Sequence, residues 1–291
     1  MIQMIQAYDA CREFAAGFRE DPCFSDPMLR DEEQIESNLI RPIEEPDRHC
    51  VFGVYRESRM IGVFAFLVLR EEKYLEMLAG LSREAEAYAE MFSYLEQTYP
   101  GFSADFVFHP DNYLLKESLE QRRAEFEPEQ QKMVWVSPAP YVDTAGIEPV
   151  SRQYAAQYCA IHSKDMYWTG ERVLQAQDRF RTFLAVCSGA VVGYLDVTYT
   201  FPENEPFDLL VLEEYRRRGY GRKLLAKALE MNRPNGMMLL VDADNVPAIR
   251  LYESMGFAKA QGQNNRTAHV ELPEAKEGSR SSLPRIKTEQ A

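Results

Sequence analysis

The sequence has no uninterrupted apolar run that approaches the length of a membrane-spanning helix. Its first residues, MIQMIQAYDACREF, lack the basic segment and the long apolar stretch of a secretory signal. We therefore expect a cytoplasmic protein that does not associate with a membrane. Cysteine is also scarce, because the chain has five, and their odd number and wide spacing predict reduced thiols in place of a disulfide framework.

Basic residues are outnumbered by acidic ones. The chain has 33 Lys and Arg against 46 Asp and Glu, which gives a net charge of −13 at pH 7. Nucleic acids and anionic membranes are polyanions that bind basic faces, so neither is expected as a partner. A length of 291 residues with 45% hydrophobic content is sufficient for one large or two ordinary domains, and we expect two.

One basic segment departs from this balance. The sequence RRRGYG, residues 216–221, follows the apolar run FDLLVL and precedes the amphipathic run RKLLAKALEM. The pattern predicts a strand, a glycine-containing turn and a helix with cations in its first turn. A helix N-terminus is already a positive pole and normally carries Asp, Glu or Ser. Cations and glycines at this position indicate a bound anion, a phosphate above all.

Three interpretations of this segment are open from its own residues. It is a tight turn with a solvated basic face, a dinucleotide-binding turn with Asp242 on the ribose, or another kind of phosphate site. The dinucleotide pattern is a poor match, because Leu224 occupies its third glycine position and six residues separate the strand from Gly219. A second motif downstream favours the third interpretation.

The downstream motif is DNVPAIRLYESMGF, residues 244–257. Arg216, Gly219 and Gly221 match the pattern Arg or Gln, two residues, Gly, one residue, Gly or Ala. The two motifs in this order strongly resemble the GNAT superfamily of acyl-CoA-dependent acyltransferases, over roughly residues 141–272. The residues of the second motif that carry the resemblance are Asn245, Ala248, Leu251, Tyr252, Gly256 and Phe257.

The resemblance implies a site for acetyl-CoA. In the family, backbone N–H groups of this loop hold the pyrophosphate at a helix N-terminus, and the preceding strand pairs with the pantetheine arm. The thioester then lies where this strand diverges from the next one, MMLLVD. The residues expected to bind acetyl-CoA are Leu210, Val211, Leu212, Arg216, Arg217, Arg218, Gly219, Tyr220, Gly221, Arg222, Asn245 and Tyr252.

The resemblance also implies catalytic groups. An alkylammonium acceptor has a pKa near ~10.4 and must lose a proton, while the leaving thiolate needs one. Tyr252 matches the position of the family's acid; its alternative role is a tyrosine packed in the core. The candidate bases are Asp208, Glu205 and Glu203, each of which has the alternative of a solvated edge carboxylate. The family also uses water relays for this step.

Two other groups of residues are weaker candidates. Tyr167 and Trp168, in the sequence DMYW, lie where relatives cap the acceptor pocket, so they line a substrate slot or pack in the core. Cys159 and His162 are three residues apart on a predicted helix, which suits a metal pair or a nucleophile with its base. No second ligand pair accompanies them in the sequence, so no metal is expected.

An internal repeat divides the chain. The segment VFGVYRESRMIGVFAF, residues 51–66, aligns without a gap with TFLAVCSGAVVGYLDV, residues 182–197. HPDN, residues 109–112, then aligns with DADN, residues 242–245. Each copy is predicted to contain helices, a hairpin, a strand, a helix, a strand, a second helix and a final pair of strands.

The first copy lacks the residues that mark the second. Glu86 and Tyr88 replace the two glycines of the loop, and Leu119 replaces the tyrosine of the second motif. Ser82 is expected to cap the helix, and Glu84 and Glu86 fill its first turn, where their carboxylates would repel a pyrophosphate. We therefore expect a first copy that binds no CoA.

These observations predict a mixed α/β fold of two tandem GNAT-like domains, each a central mixed sheet flanked by helices. The predicted bounds are 1–137 for the degenerate domain, 138–272 for the active one and 273–291 for a disordered polar tail. The expected function is direct transfer of an acetyl group from acetyl-CoA to an amine of a small molecule or peptide. The alternative is a non-catalytic module that senses CoA or binds a partner.

Overall fold

A computed structural model of the chain describes residues 1–18, 35–164 and 167–274. The chain forms two compact units, Met1–Glu127 with the segment that begins at Asn265, and Pro128–Asn264. The number of units agrees with the two predicted domains, but the predicted bounds at residues 137 and 272 are wrong. From residue 275 onward, the predicted tail lies outside the described residues.

The first unit contains a seven-stranded mixed sheet. Its strands are β1 (Ile2–Met4), β2 (His49–Arg56), β3 (Arg59–Leu69), β4 (Tyr74–Leu81), β5 (Ser103–Phe108), β6 (Glu125–Phe126) and β15 (Arg266–Glu271). The strand order is β1-β2-β3-β4-β5-β15-β6, and β4 and β5 are the parallel neighbours. Its helices are α1 (Arg12–Ala16), α2 (Arg41–Glu44), α3 (Ala85–Thr98) and α4 (Tyr113–Glu120), with short helical turns at Tyr8–Ala10 and Glu36–Ile40.

Helices cover both faces of this sheet. Apolar residues recur at helical spacing along α3, so Met91 and Leu95 are fully buried against one face, together with Phe64 of β3. The neighbouring Val63 points to the other face, where it packs in a separate cluster with Leu39. The first unit therefore has the flanked central sheet that the sequence predicts.

The second unit contains two four-stranded sheets. Its strands are β7 (Gln130–Trp135), β8 (Ile147–Pro149), β9 (Phe180–Cys187), β10 (Ala190–Thr198), β11 (Glu203–Asn204), β12 (Pro206–Val211), β13 (Gly236–Asp242) and β14 (Phe257–Lys259). One sheet has the order β12-β10-β9-β8 and the other β11-β13-β7-β14. The helices are α5 (Ala155–Ile161), α6 (Gly170–Gln175), α7 (Tyr220–Asn232) and α8 (Val246–Glu253), with a 3₁₀ turn at Glu213–Tyr215.

The two copies exchange their final strands, which is why the predicted bounds are wrong. The first copy is predicted to end with β6 and β7, and the second with β14 and β15. In the structure β7 pairs with β13 and β14 of the second unit, whereas β15 pairs with β5 and β6 of the first. Ala268 and Val270 of β15 are buried in the core of the first unit. Each unit thus completes a sheet with a strand that belongs to the other copy of the repeat.

The internal repeat is confirmed at the start of two helices. The Asn112 side chain accepts a hydrogen bond from the Leu115 N–H at 3.1 Å and caps α4. The Asn245 side chain accepts one from the Ala248 N–H at 3.2 Å and caps α8 in the same way. The aligned segments HPDN and DADN therefore occupy equivalent positions in the two units.

Candidate active site

The basic segment forms the connection from β12 to α7. Helix α7 begins at Tyr220, and its N-cap residue, Gly219, has φ +86° and ψ 0°. This left-handed conformation favours glycine, and a Cβ at this position would have no atom within 4 Å. The backbone conformation, and not a lack of space, therefore accounts for glycine here. Arg217 also has a positive φ of 63°, so the loop curls tightly before the helix.

Backbone N–H groups converge at this loop without partners. The Arg216 N–H donates to the Glu213 carbonyl and the Lys223 N–H donates to the Gly219 carbonyl. Between them, the N–H groups of residues 217–222 donate to no acceptor among the residues that the structure describes. Arg216, Arg217 and Arg218 are exposed around them. Free N–H groups, a helix dipole and cations together form a site for an anion.

The equivalent helix of the first unit has its N-terminus occupied. Helix α3 has Glu84 as its N-cap residue, and the Glu84 N–H donates to Ser82 Oγ at 3.0 Å. Ser82 therefore accepts a hydrogen bond just before the helix, and it is not the N-cap residue itself. The Glu84 carboxylate forms ion pairs with Arg56 and Arg59, and Glu86 pairs with Arg56 at 3.0 Å. Acidic side chains fill this positive pole, as the sequence predicts.

Two strands diverge beside the loop. Asn204 of β11 pairs with Met237 of β13 in parallel, but the chain then continues into β12, which pairs with β10. Strands β12 and β13 therefore belong to different sheets, which agrees with the predicted divergence of FDLLVL from MMLLVD. Because β12 is the edge strand of its sheet, its side away from β10 has no neighbouring strand in that sheet. At its end, the Val211 carbonyl accepts a hydrogen bond from Arg216 Nε at 3.0 Å, and the Leu212 carbonyl accepts one from the Tyr215 N–H.

Tyr252 lies on α8 in the core of the second unit. Its ring contacts Phe257 with 5.9 Å between ring centroids, and the side chain is 8% exposed. Its hydroxyl makes no hydrogen bond with any residue in the described part of the chain. Burial, and then the charges of Asp208 and Glu205, raise the pKa of Tyr252 to about 12. The phenol is therefore neutral near pH 7 and able to donate a proton.

Two of the three candidate bases lie near this phenol. Glu205 lies between β11 and β12, where the chain passes from the sheet that contains β13 to the other sheet. Burial raises the pKa of Glu205, and the Leu240 N–H and Lys132 oppose this effect. Burial also raises the pKa of Asp208, whose Oδ2 accepts a hydrogen bond from the Tyr194 hydroxyl at 2.6 Å. Glu203 is exposed and its carboxylate is 3.7 Å from the Lys132 ammonium, as expected for a solvated carboxylate.

His162 lies beside two carboxylates, which the sequence does not indicate. Its Nε2 is 3.1 Å from Asp196 Oδ2 and 3.6 Å from Asp208 Oδ2, and no described contact joins it to Cys159. Asp196 was not among the predicted site residues, although it is the one charged residue in the apolar run VVGYLDV. A buried aspartate in such a strand requires hydrogen-bond or charge partners, so Asp196 is the sequence signal that could have identified this group of residues.

The predicted acceptor-side aromatics continue a row of rings toward Asp208. Tyr167 is 72% exposed, whereas Trp168 packs on Phe180 with 4.9 Å between centroids. Phe180 in turn contacts Phe207, the residue before Asp208, with 5.6 Å between centroids. Asp165 and Met166 of the same segment lie outside the described residues. Trp168 is therefore a packed ring, and Tyr167 is accessible.

Asp242, the residue that a dinucleotide site would use for a ribose, binds a neighbouring side chain. Its carboxylate accepts a hydrogen bond from the Gln130 side chain of β7.

Residues 147–257, which contain both motifs, match the model of the acetyltransferase (GNAT) family. This segment is a GNAT acetyltransferase domain. Members of the family use acetyl-CoA as co-substrate.

Individual relatives extend this finding. Over 109 residues the chain is 34% identical to the mycothiol acetyltransferase of Corynebacterium glutamicum (strain R), a match that covers 34% of this chain and 37% of that protein. The chain thus matches just over a third of the length of this relative. The match is therefore informative about the GNAT domain and leaves the acceptor open.

Solved structures share the fold across both units. A GCN5-related N-acetyltransferase from Sphaerobacter thermophilus has a TM-score of 0.60 and 15% identity, over 94% of this chain and 96% of that chain. A tandem GNAT protein from the clavulanic acid biosynthesis pathway has a TM-score of 0.52 and 14% identity, over 94% and 99%. The tandem mixed α/β fold is confirmed.

No helix in the described ranges is long and apolar enough to cross a membrane.

Proposed function

We propose that the chain transfers an acetyl group from acetyl-CoA to a primary amine, with the activity in the GNAT domain of the second unit. The observation that carries this proposal is the set of unpartnered N–H groups at residues 217–222, next to two strands that diverge. The amine belongs to a small molecule or a peptide.

The loop and β12 would hold acetyl-CoA. The N–H groups of residues 217–222 would bind the pyrophosphate, with Arg216 and its neighbours supplying charge. The backbone of Leu210, Val211 and Leu212 would pair with the amide groups of the pantetheine arm. Asn245, which is also predicted to contact CoA, caps α8, the helix that carries Tyr252.

Transfer would proceed directly from thioester to amine. Asp208 accepts a proton from the ammonium of the acceptor, and the amine nitrogen attacks the thioester carbonyl carbon. When the C–S bond breaks, Tyr252 donates its proton to the leaving sulfur, and the second proton of the nitrogen restores the phenol. The net products are the N-acetyl amide, CoA thiol and the proton on Asp208, which returns to solvent.

Asp208 is preferred to Glu205 as the base for a geometric reason. Its Oδ2 is held by Tyr194 and lies near His162, while its side chain remains 20% exposed. Glu205 lies at the closed end of the two strands, where the Leu240 N–H faces its carboxylate. An acceptor amine can therefore approach Asp208 more directly.

Calorimetric titration with acetyl-CoA tests the proposal. We expect one site per chain, because acidic side chains occupy the equivalent position of the first unit. Absence of binding would refute the proposal, and two sites per chain would refute the inactive first unit. A screen of amines monitored by thiol release then tests turnover. Binding without turnover of any amine would favour the non-catalytic module.

A further inference from the structure

A fully buried carboxylate lies behind the proposed base. Asp196 of β10 is 0% exposed and is directly opposite Asp208 in the pairing of β10 with β12. Its Oδ2 accepts hydrogen bonds from the Tyr158 hydroxyl at 2.8 Å and from His162 Nε2 at 3.1 Å, and its Oδ1 accepts one from the Thr182 hydroxyl. A carboxylate with three donors and no exposure is held in one orientation.

The hydrogen bonds of His162 define its protonation state. Nδ1 is 3.1 Å from the Ser163 carbonyl oxygen, which only accepts, and Nε2 faces the Asp196 carboxylate. Two facing acceptors favour a proton on each ring nitrogen, which is the imidazolium form. The ring is stacked on Tyr194 at 4.8 Å with an interplanar angle of 12°. Burial disfavours this charge, but Asp196, the Ser163 carbonyl and Asp208 outweigh burial and raise the pKa of His162.

The imidazolium lies between two carboxylates of different exposure. The side chain of His162 is 1% exposed and Asp196 is 0% exposed, whereas Asp208 is 20% exposed. Tyr194 donates to Asp208 Oδ2 at 2.6 Å, and His162 Nε2 is 3.6 Å from the same oxygen. The protein thus holds Oδ2 of Asp208, and no residue in the described part of the chain binds its Oδ1.

We propose that His162 is a positioning residue for the base, in which its Asp196-anchored imidazolium lies beside Asp208 Oδ2 and by its charge keeps Asp208 ionised until the acceptor ammonium arrives at Oδ1. This role rests on the proposed function. Without the cation, Asp196 and Asp208 would face each other as two like charges in a buried place, and Asp208 would take up a proton from solvent before it met an acceptor.

The surroundings contain groups that also act on this pair. The titratable or polar side chains that interact with His162, Asp196 or Asp208 from neighbouring elements are Tyr158 and Cys159 of α5, Glu171 of α6, Thr182 of β9, Tyr194 of β10 and Tyr252 of α8. Lys164 acts on Glu171. Burial and then the Tyr194 hydrogen bond act most strongly on the pKa of Asp208, and His162 is the cation that lowers it.

A metal ion is the competing occupant of these side chains. Ligand atoms of His162, Asp196 and Asp208 lie within 4.8 Å of one another. However, both imidazole nitrogens face oxygen acceptors and both Asp196 oxygens accept hydrogen bonds from the protein. A metal would have to displace these contacts, so the arrangement suits a proton on His162.

Imidazole NMR tests the charge of His162 without any knowledge of the acceptor. The chain has four histidines, so the His162 signals can be assigned by their loss in His162→Gln. We expect both ring nitrogens to be protonated at pH 7.5, and Asp196→Asn to lower the pH at which the ring loses its proton. A neutral His162 at pH 7.5 would overturn the proposal. Stoichiometric uptake of Zn²⁺ that is lost in His162→Gln would also overturn it, in favour of a metal site.

The pH profile of kcat/KM tests the role in turnover. We expect His162→Gln, which keeps an N–H donor without the charge, to move the acidic limb upward by about 1–3 pH units. His269→Gln is the matched control, because His269 of the first unit also bridges two carboxylates, Asp105 and Glu127. We expect no movement of the limb in this variant.

Three results separate the possible failures. A uniform loss of kcat/KM in His162→Gln with an unmoved limb would reduce His162 to a structural role and refute the inference. Absence of turnover by the wild-type protein with every amine would refute the proposed function itself. If His162→Gln does not fold, His162 is assigned by elimination from His49→Gln, His109→Gln and His269→Gln, and the NMR measurement on the wild-type protein and Asp196→Asn still decides whether the imidazolium exists.

Discussion

Substitutions at Gly219 can change the charge at the anion site while the shape of the side chain stays nearly constant. Its φ of +86° is tolerated by Asn and Asp better than by other side chains, and a Cβ at this position meets no atom within 4 Å. Gly219→Asn and Gly219→Asp are therefore a matched pair that differs by one charge. The Asp variant places a carboxylate at the positive pole of α7, so we expect it to be more stable than the Asn variant by about 0.3–1 kcal/mol.

The same carboxylate should weaken the binding of acetyl-CoA. One charge about 6 Å from the two charges of a pyrophosphate, at an effective dielectric of about 40, costs about 3 kcal/mol at low ionic strength. This free energy corresponds to a Kd that is about 100-fold higher for the Asp variant than for the Asn variant. Screening at 0.15 M salt should reduce the ratio to about tenfold.

The assay is calorimetric titration of both variants with acetyl-CoA at low and at physiological salt, combined with thermal unfolding without ligand. Stability and affinity should change in opposite directions, which a general disturbance of the loop would not produce. Equal dissociation constants for the two variants would refute binding of the pyrophosphate at residues 217–222. A ratio that does not change with salt would refute the electrostatic cause.

Three further outcomes are expected. Tyr252→Phe should lower turnover by at least about tenfold with little change in the Kd of acetyl-CoA, and equal turnover would exclude the phenol as the acid. The hydrogen bonds of His269 to Asp105 and Glu127 outweigh its partial burial and raise its pKa, so its contribution to stability is full below about pH 6.5 and declines as pH rises through the raised value. Denaturant unfolding of His269→Gln should therefore show a larger loss at pH 6 than at pH 9, and a constant loss would contradict this. Val270→Asp, in the buried face of β15, should destabilise the first unit by about 3 kcal/mol or more, as measured by hydrogen exchange in that unit, and undiminished protection would contradict the exchange of strands.

The features that the sequence predicts well are local. The cationic turn and the apolar face of α7 each depend on residues within a few positions of one another, so the sequence pattern is sufficient. The GNAT resemblance has the same local basis.

The features that the sequence does not predict depend on pairing over long distances. His162 and Asp196 are separated by 34 residues, and Asp196 lies opposite Asp208 only because of the register of β10 with β12, which is interrupted by a bulge next to this pair. The exchange of β7 and β15 is equally invisible, because an alternating strand pattern specifies a buried face but not a partner. The sequence spacing therefore pairs His162 with Cys159, whereas in the structure its neighbours are Asp196 and Asp208.

The exchanged strands also set an order of events during protein synthesis. The first unit is translated first, yet its sheet has a gap between β5 and β6 until β15 is made. About 145 residues separate β6 from the end of β15 (271 minus 126), and at ~5–20 residues per second their synthesis takes about 7–30 s. In that interval the second unit receives all of its own strands. The nascent chain therefore completes the acetyltransferase unit first, and the unit at the N-terminus closes last.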